Sequence, residues 1–196
     1  MIQSKDDLKI YLQADKVSLN RKGNYPRIND YIWKYQILLR HCEYHINKSG
    51  GGIVHKLLRK YYSFRLQRFG LRCGFTVPPN TCDKGLNLAH TGTIVISSYA
   101  SIGENCRIHA GVNIGTAAGT TGQAPKIGNN VYIGPGAKIF GPITLADGVV
   151  IGANAVVNRD CLEKNATLVG VPAKVINHKG SEGFLIRGSE NCLHNK

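Results

Sequence analysis

From Ile127 onward an aliphatic residue returns at every sixth position, at Ile127, Ile133, Ile139, Leu145, Ile151 and Val157. An earlier block keeps the same step at Ile96, Ile102, Ile108 and Ile114. Four residues beyond these positions stand small or aliphatic residues: Ala100, Cys106, Val112, Val131, Ala137, Ile143, Val149 and Ala155. Glycine often follows the aliphatic position directly, at Gly103, Gly115, Gly128, Gly134 and Gly152. That placement predicts corners that need a permissive backbone or a close approach of chains. An amphipathic helix requires a period of 3.6 and does not tolerate this glycine density, so helix is excluded here. A period of six fits a triangular solenoid instead. Three short strands make each turn of about 18 residues, turns stack at about 4.8 Å, and the inward aliphatic residues form continuous ladders.

The first 70 residues follow another rule. Asp30 precedes a run in which Ile32, Tyr35, Leu38 and Leu39 share one face, which predicts a helix opening at an acidic cap. Gly50, Gly51 and Gly52 break it, and Ile53 to Phe69 reads as a second helix with Ile53, Leu57, Tyr61 and Phe64 aligned. A shorter helix is expected from Lys5 to Ala14. After Ile176 the chain is polar and carries Gly180, Gly183 and Gly188, as expected of a tail loosely held or strapped onto a neighbour. The expected organisation is a helical region over 1–72, a solenoid over 73–176 and a tail over 177–196.

Composition narrows the function classes. In 196 residues, 42% hydrophobic content suffices for a packed core. No run approaches the roughly 20 apolar residues of a membrane span, and the charged start lacks a signal peptide's apolar core, so a cytoplasmic protein is expected. Cys42, Cys73, Cys82, Cys106, Cys161 and Cys192 are scattered without a C-x-x-C pair, which favours free thiols. The seven histidines form no H-x-x-x-H or H-E-x-x-H arrangement, so no metal is expected. The net charge of +13 concentrates in the first 72 positions, notably at Lys56, Arg59, Lys60, Arg65, Arg68 and Arg72. No nucleic-acid motif accompanies it. The segment reads either as the solvated face of a helix or as a contact for an anionic partner, whether membrane surface, lipid-linked substrate or acidic polysaccharide.

With Ile-Gly-Asn-Asn-Val-Tyr at 127–132 and Ile-Gly-Ala-Asn-Ala-Val at 151–156, residues 75–176 resemble the hexapeptide-repeat acyltransferases. The resemblance implies a mainly β fold, a left-handed parallel β-helix carrying a small N-terminal α-helical region. It also implies acetyl-CoA as co-substrate and a homotrimer with active sites in clefts between subunits; pairing of two trimers stays open. Transfer of an acetyl group from a thioester to a hydroxyl needs a base, donors for the oxyanion and a cleft that aligns both substrates. A base working near neutral pH is most readily a histidine.

His90 lies in Leu-Ala-His-Thr-Gly-Thr-Ile-Val-Ile, which resembles the serine acetyltransferase segment Asp-His-Ala-Thr-Gly that supplies the catalytic histidine. It stands six before Ile96, where the ladder would place an aliphatic residue, so it is the expected general base; an inert cap at the solenoid mouth is the alternative. His109 sits one turn plus one residue later and is either an acceptor contact or an ordinary surface residue. The glycine-rich break from Gly115 to Ile127 resembles the serine acetyltransferase loop between Leu-Gly-Gly-Thr-Gly and Pro-Lys-Ile. It reads as a lid with oxyanion donors near Gly115 and Thr116, or as a structural excursion. Val169-Gly-Val-Pro-Ala resembles the family's closing signature. By that resemblance CoA runs along the last turns, with Gly134, Gly152 and Ala153 admitting its arm and Lys174 meeting a phosphate.

Three departures bear on the acceptor. Serine acetyltransferases have an aspartate before the catalytic histidine, where this chain has Ala89. They have another about 15 residues upstream, where Phe75 to Pro78 offers no carboxylate, and a histidine before Pro-Lys-Ile, where Ala124 stands. Free serine carries an ammonium and a carboxylate whose desolvation needs opposing charges. The expectation is therefore a sugar hydroxyl of a capsular or exopolysaccharide or its lipid-linked precursor, resembling bacterial capsule-pathway acetyltransferases. Serine O-acetylation in cysteine biosynthesis is the alternative, with Asp83, Glu104 or His109 replacing the missing groups. A β-helix protein that transfers no acetyl group is the third reading. Its carbonic anhydrase form needs three metal histidines, and the repeat supplies only His90 and His109.

Overall fold

The computed structural model describes residues 1–48 and 52–191. Three helices come first: α1 (Lys5–Ser18), α2 (Tyr31–Asn47) and α3 (Ile53–Cys73). Ser4 and Asp7 close a reciprocal cap on α1, which runs a turn past the expected Ala14, and the Asp30 carboxylate accepts from the Trp33 amide at the start of α2. Of the glycine break, Gly50 and Gly51 lie outside the described residues, as does Cys192.

Fourteen short strands follow in chain order, arranged as three sheets. One holds β1 (Phe75–Thr76), β3 (Ile94–Ile96), β6 (Asn113–Gly115), β9 (Lys138–Phe140) and β12 (Val156–Val157). The second holds β4 (Ser101–Ile102), β7 (Lys126–Ile127) and β10 (Thr144–Leu145). The third holds β2 (Asn87–Leu88), β5 (Arg107–Ile108), β8 (Tyr132–Ile133), β11 (Val150–Ile151), β13 (Thr167–Gly170) and β14 (Ala173–Asn177). Every pairing is parallel except β13 with β14. The chain visits the sheets in rotation, so the predicted triangular solenoid forms.

The register confirms three inward ladders. Ile96, Ile114, Ile139 and Val157 stack in the first sheet, Ile102, Ile127 and Leu145 in the second, and Leu88, Ile108, Ile133, Ile151 and Leu168 in the third, all buried. The small residues expected between them are buried too, from Ala100 to Ala155. Cys82 and Cys106 belong to the same core. Burial pushes their thiols up to about 12, so they act as small apolar residues.

The corner glycines need correction in one respect. Gly103, Gly128, Gly134 and Gly152 are demanded by close approach: a Cβ at Gly134 would stand 2.8 Å from the Ile151 carbonyl oxygen. The left-handed backbone at the corners is carried instead by other glycines, at Gly85, Gly111, Gly136 and Gly148, and by asparagines, at Asn105, Asn130, Asn154 and Asn165, which tolerate it better than other side chains.

The first turn of a solenoid exposes an edge of unpaired backbone groups. Here α2 covers it with polar side chains. Gln36 donates to the Leu86 carbonyl at 2.8 Å and accepts from the Leu88 amide. Arg40, fully buried, donates to both Asp15 carboxylate oxygens, to Glu43, and to the carbonyls of Cys82 and Asp83. Burial pushes the Asp15 carboxyl up. The two contacts from Arg40 and one from the Leu86 amide oppose that push, and the guanidinium between two carboxylates keeps its proton.

Two sequence expectations fail outside the solenoid. The aligned face of α3 does not face the core: Ile53, Leu57, Tyr61 and Phe64 are exposed. The helix is buried through Leu66, Gly70 and Cys73 instead, with Tyr62 stacked between His41 and His45 of α2. The described part of the tail is also not loose. It runs back along its own solenoid to α4 (Gly188–Asn191): Ser181 bonds Asn130 and Gly148, Ser189 bonds Asn105, and the Gly188 amide bonds Ser18 of α1.

Candidate active site

His90 does not stand in the aliphatic ladder. The ladder residue is Leu88, paired with Ile108, and eight positions rather than six separate it from Ile96. The two additional residues bulge at the corner between the third and first sheets, and His90 is exposed there. Its ring lies 5.6 Å from that of His109, which follows the next ladder residue, Ile108. The structure thus brings together the two histidines singled out from the sequence.

His109 is partly buried and packs 5.1 Å from the Tyr132 ring, which in turn lies 5.4 Å from Phe184 of the tail. Arg107 Nε donates to His109 Nε2 at 3.2 Å. Burial, the Arg107 guanidinium and His90 together push the His109 imidazole down to about 4. It is therefore neutral at pH 7, and accepting at Nε2 leaves its proton on Nδ1. Arg107, Tyr132 and Phe184 were not singled out from the sequence. The signal for the first two is their register, each being the outward residue just before a ladder position.

The remaining candidates separate. Gly134 and Gly152 follow ladder residues of the third sheet as His109 does, so they form one column with it, and Ala153 is exposed at the end of that column. Three stacked turns, about 14 Å, lie between the level of His90 and that of Gly152. Lys174 is exposed on β14, beyond the turn made by Gly170 to Pro172. Gly115 and Thr116 stand at the far end of the first sheet, about 13 Å along the strand from the corner near His90. Within one chain they do not meet that histidine. Asp83 is not brought to the site either: its carboxylate accepts from the Tyr11 hydroxyl at 2.5 Å and the Lys84 amide at 2.7 Å. Against the upward push of burial, those bonds hold it below the usual carboxylate value. Glu104 pairs with Lys84. Among the described residues no group of three or more His, Cys, Asp or Glu side chains is arranged to hold a metal, and no helix is long and apolar enough to cross a membrane.

The repeat meets its counterpart in known sequences. Residues 124–159 match the family model of the bacterial transferase hexapeptide (six repeats). Those residues carry the hexapeptide repeat. Around them the chain is 38% identical over 98 residues to a serine acetyltransferase of Synechococcus elongatus, covering 50% of this chain and 40% of that protein. It is 42% identical over 94 residues to a serine acetyltransferase of Helicobacter pylori, covering 47% of this chain and 54% of that protein. The chain thus spans about half the length of these relatives. Among solved structures it superimposes on serine acetyltransferase of Brucella abortus in complex with coenzyme A with a TM-score of 0.65, at 25% identity, covering 89% of this chain and 68% of that one. These similarities overturn the expectation of a sugar acceptor, since the hexapeptide-repeat proteins matched here are serine acetyltransferases. The charges absent at Ala89 and Ala124 are absent only position by position along the chain. Arg107 enters the site from a neighbouring turn.

Proposed function

We propose that the chain is an acetyl-CoA-dependent serine O-acetyltransferase whose general base is His90. The observation that carries the reading is the similarity to serine acetyltransferases across the repeats, joined to a solvent-reached histidine at the corner beside His109. His90 takes the proton of the serine hydroxyl as its oxygen attacks the thioester carbonyl. The tetrahedral intermediate collapses with cleavage of the C–S bond, and the proton passes from His90 to the departing CoA thiolate. The products are O-acetylserine and CoA.

The column formed by His109, Gly134 and Gly152 supports a path for the CoA arm, ending with its acyl group at the histidine corner. Ala153 and Lys174 lie at the outer end of that path. The distance between His90 and Gly115 supports a trimer, in which a neighbouring copy brings the Gly115–Thr116 amides to the oxyanion. The solenoid in this reading winds left-handed, as in the family it resembles. Incubation with acetyl-CoA and L-serine tests the activity by thiol titration of released CoA and by mass spectrometry of O-acetylserine. Stoichiometric formation of both is expected, and CoA release without O-acetylserine overturns the serine reading.

A further inference from the structure

Among the described residues no carboxylate lies within ion-pair distance of Arg107, whereas the fully buried Arg40 and the partly buried Arg21 are each paired with one. Its Nε is committed to His109 Nε2 at 3.2 Å, a contact that fixes the plane of the guanidinium on the outer face of β5. The terminal Nη groups carry no protein hydrogen bond among the described residues, and they are reached by solvent. Such a fork is shaped for two parallel bonds to a carboxylate. A cation held this way beside a neutral histidine has a net attraction for an anion, with no internal counter-charge to offset it. His109 stays neutral at pH 7 for the reasons given above, so it neither repels nor replaces that charge.

The position matches the acceptor. Arg107 touches His109, and His109 lies 5.6 Å from His90. A small amino acid spanning this row places a carboxylate at one end and a hydroxyl at the other. Serine has both groups on adjacent carbons. Resting on the serine O-acetyltransferase reading, we propose that Arg107 is the acceptor-binding residue that recognises the α-carboxylate of serine, in place of the histidine missing at Ala124. His109 is then a positioning residue: its Nε2 fixes the Arg107 fork, and its ring spaces the carboxylate from the base.

The test compares L-serine with serinol, in which a hydroxymethyl group replaces the carboxylate, as acceptors for the wild-type protein, Arg107→Gln and Arg107→Lys. The wild type is expected to favour serine over serinol by about 10- to 100-fold in kcat/KM, the range of a charge-assisted pair. Arg107→Gln is expected to lose that preference through a raised KM for serine, and Arg107→Lys to keep part of it. A wild type that uses serinol as well as serine overturns the proposal without recourse to a variant, and so does an Arg107→Gln protein with an unchanged serine-to-serinol ratio. If the wild type forms O-acetylserine but shows either result, only the carboxylate assignment falls. If it forms none, the serine reading falls and the assignment with it.

Discussion

Between Leu88 and Leu168 the third sheet buries one aliphatic side chain per turn, whereas α2 meets the first turn through Gln36, Arg40 and Glu43, all buried and all polar. The two regions solve different problems. Interior turns already have both backbone edges paired by their neighbours, so apolar packing is enough to hold them. The first turn has one edge open, and only side chains with hydrogen-bonding groups can close it without leaving buried amides and carbonyls unmet. The cap therefore concentrates its stability in few residues, and the solenoid spreads its own over many.

Removing Arg40 breaks that comparison most severely. Arg40→Ala leaves Asp15 and Glu43 buried without their cation and frees the carbonyls of Cys82 and Asp83, so a loss of about 3–5 kcal/mol is expected in urea unfolding. Replacing Arg40, Asp15 and Glu43 together by apolar residues should recover much of it. A loss below about 1 kcal/mol in the single variant would show that the cap does not depend on its ion pairs. The corner of the solenoid should behave in the opposite way. His90→Ala is expected to lower acetyl transfer at least a hundredfold, about 2.7 kcal/mol on the barrier, while unfolding shifts by less than about 0.5 kcal/mol. Near-normal turnover in stopped-flow or thiol-release assays sinks the assignment of the base.

The smallest effect is a pH dependence at His109. Its folded value of about 4 lies below the ordinary 6.5, so the unfolded chain binds the extra proton between these limits. The corresponding stability is fully present above about pH 6.5 and is lost as pH falls toward 4. Partial exposure reduces it to below about 1 kcal/mol. Denaturant midpoints measured from pH 7 to 4 should fall less steeply in His109→Asn than in the wild type. Identical slopes would place His109 in ordinary solvent.

The same contrast decides what could be read from residue order. The ladders were legible because every sixth residue must be apolar to fill the prism, and Ile127 to Val157 has no freedom to depart from that step. The N-cap at Asp30 was legible because it is local. The face of α3 was not, since Ile53, Leu57, Tyr61 and Phe64 align as well as a buried stripe would, and which side α2 covers depends on stacking by His41, His45 and Tyr62. At the site, motif and spacing single out His90 and His109, although the two extra residues before Ile96 put Leu88 and not His90 in the ladder. Arg107 escaped because an outward strand residue reads as solvent-facing, and its partnership with His109 becomes visible only when β5 ends at the histidine corner. Phe184 reaches Tyr132 only through the returning tail, a contact no local pattern announces.

That returning tail changes how the molecule can come apart. A stack whose turns touch only their neighbours sheds them one by one from whichever end is weaker. Here a single segment ties the level of Asn165, through Gly180, to Asn130, then to Asn105, and finally to Ser18 in the first helix. Peeling away the last turn therefore pulls on the first, and the two ends behave as one. The prism is laced shut along an edge, so its opening is a single concerted event in place of a fraying that begins at β13 and works backward.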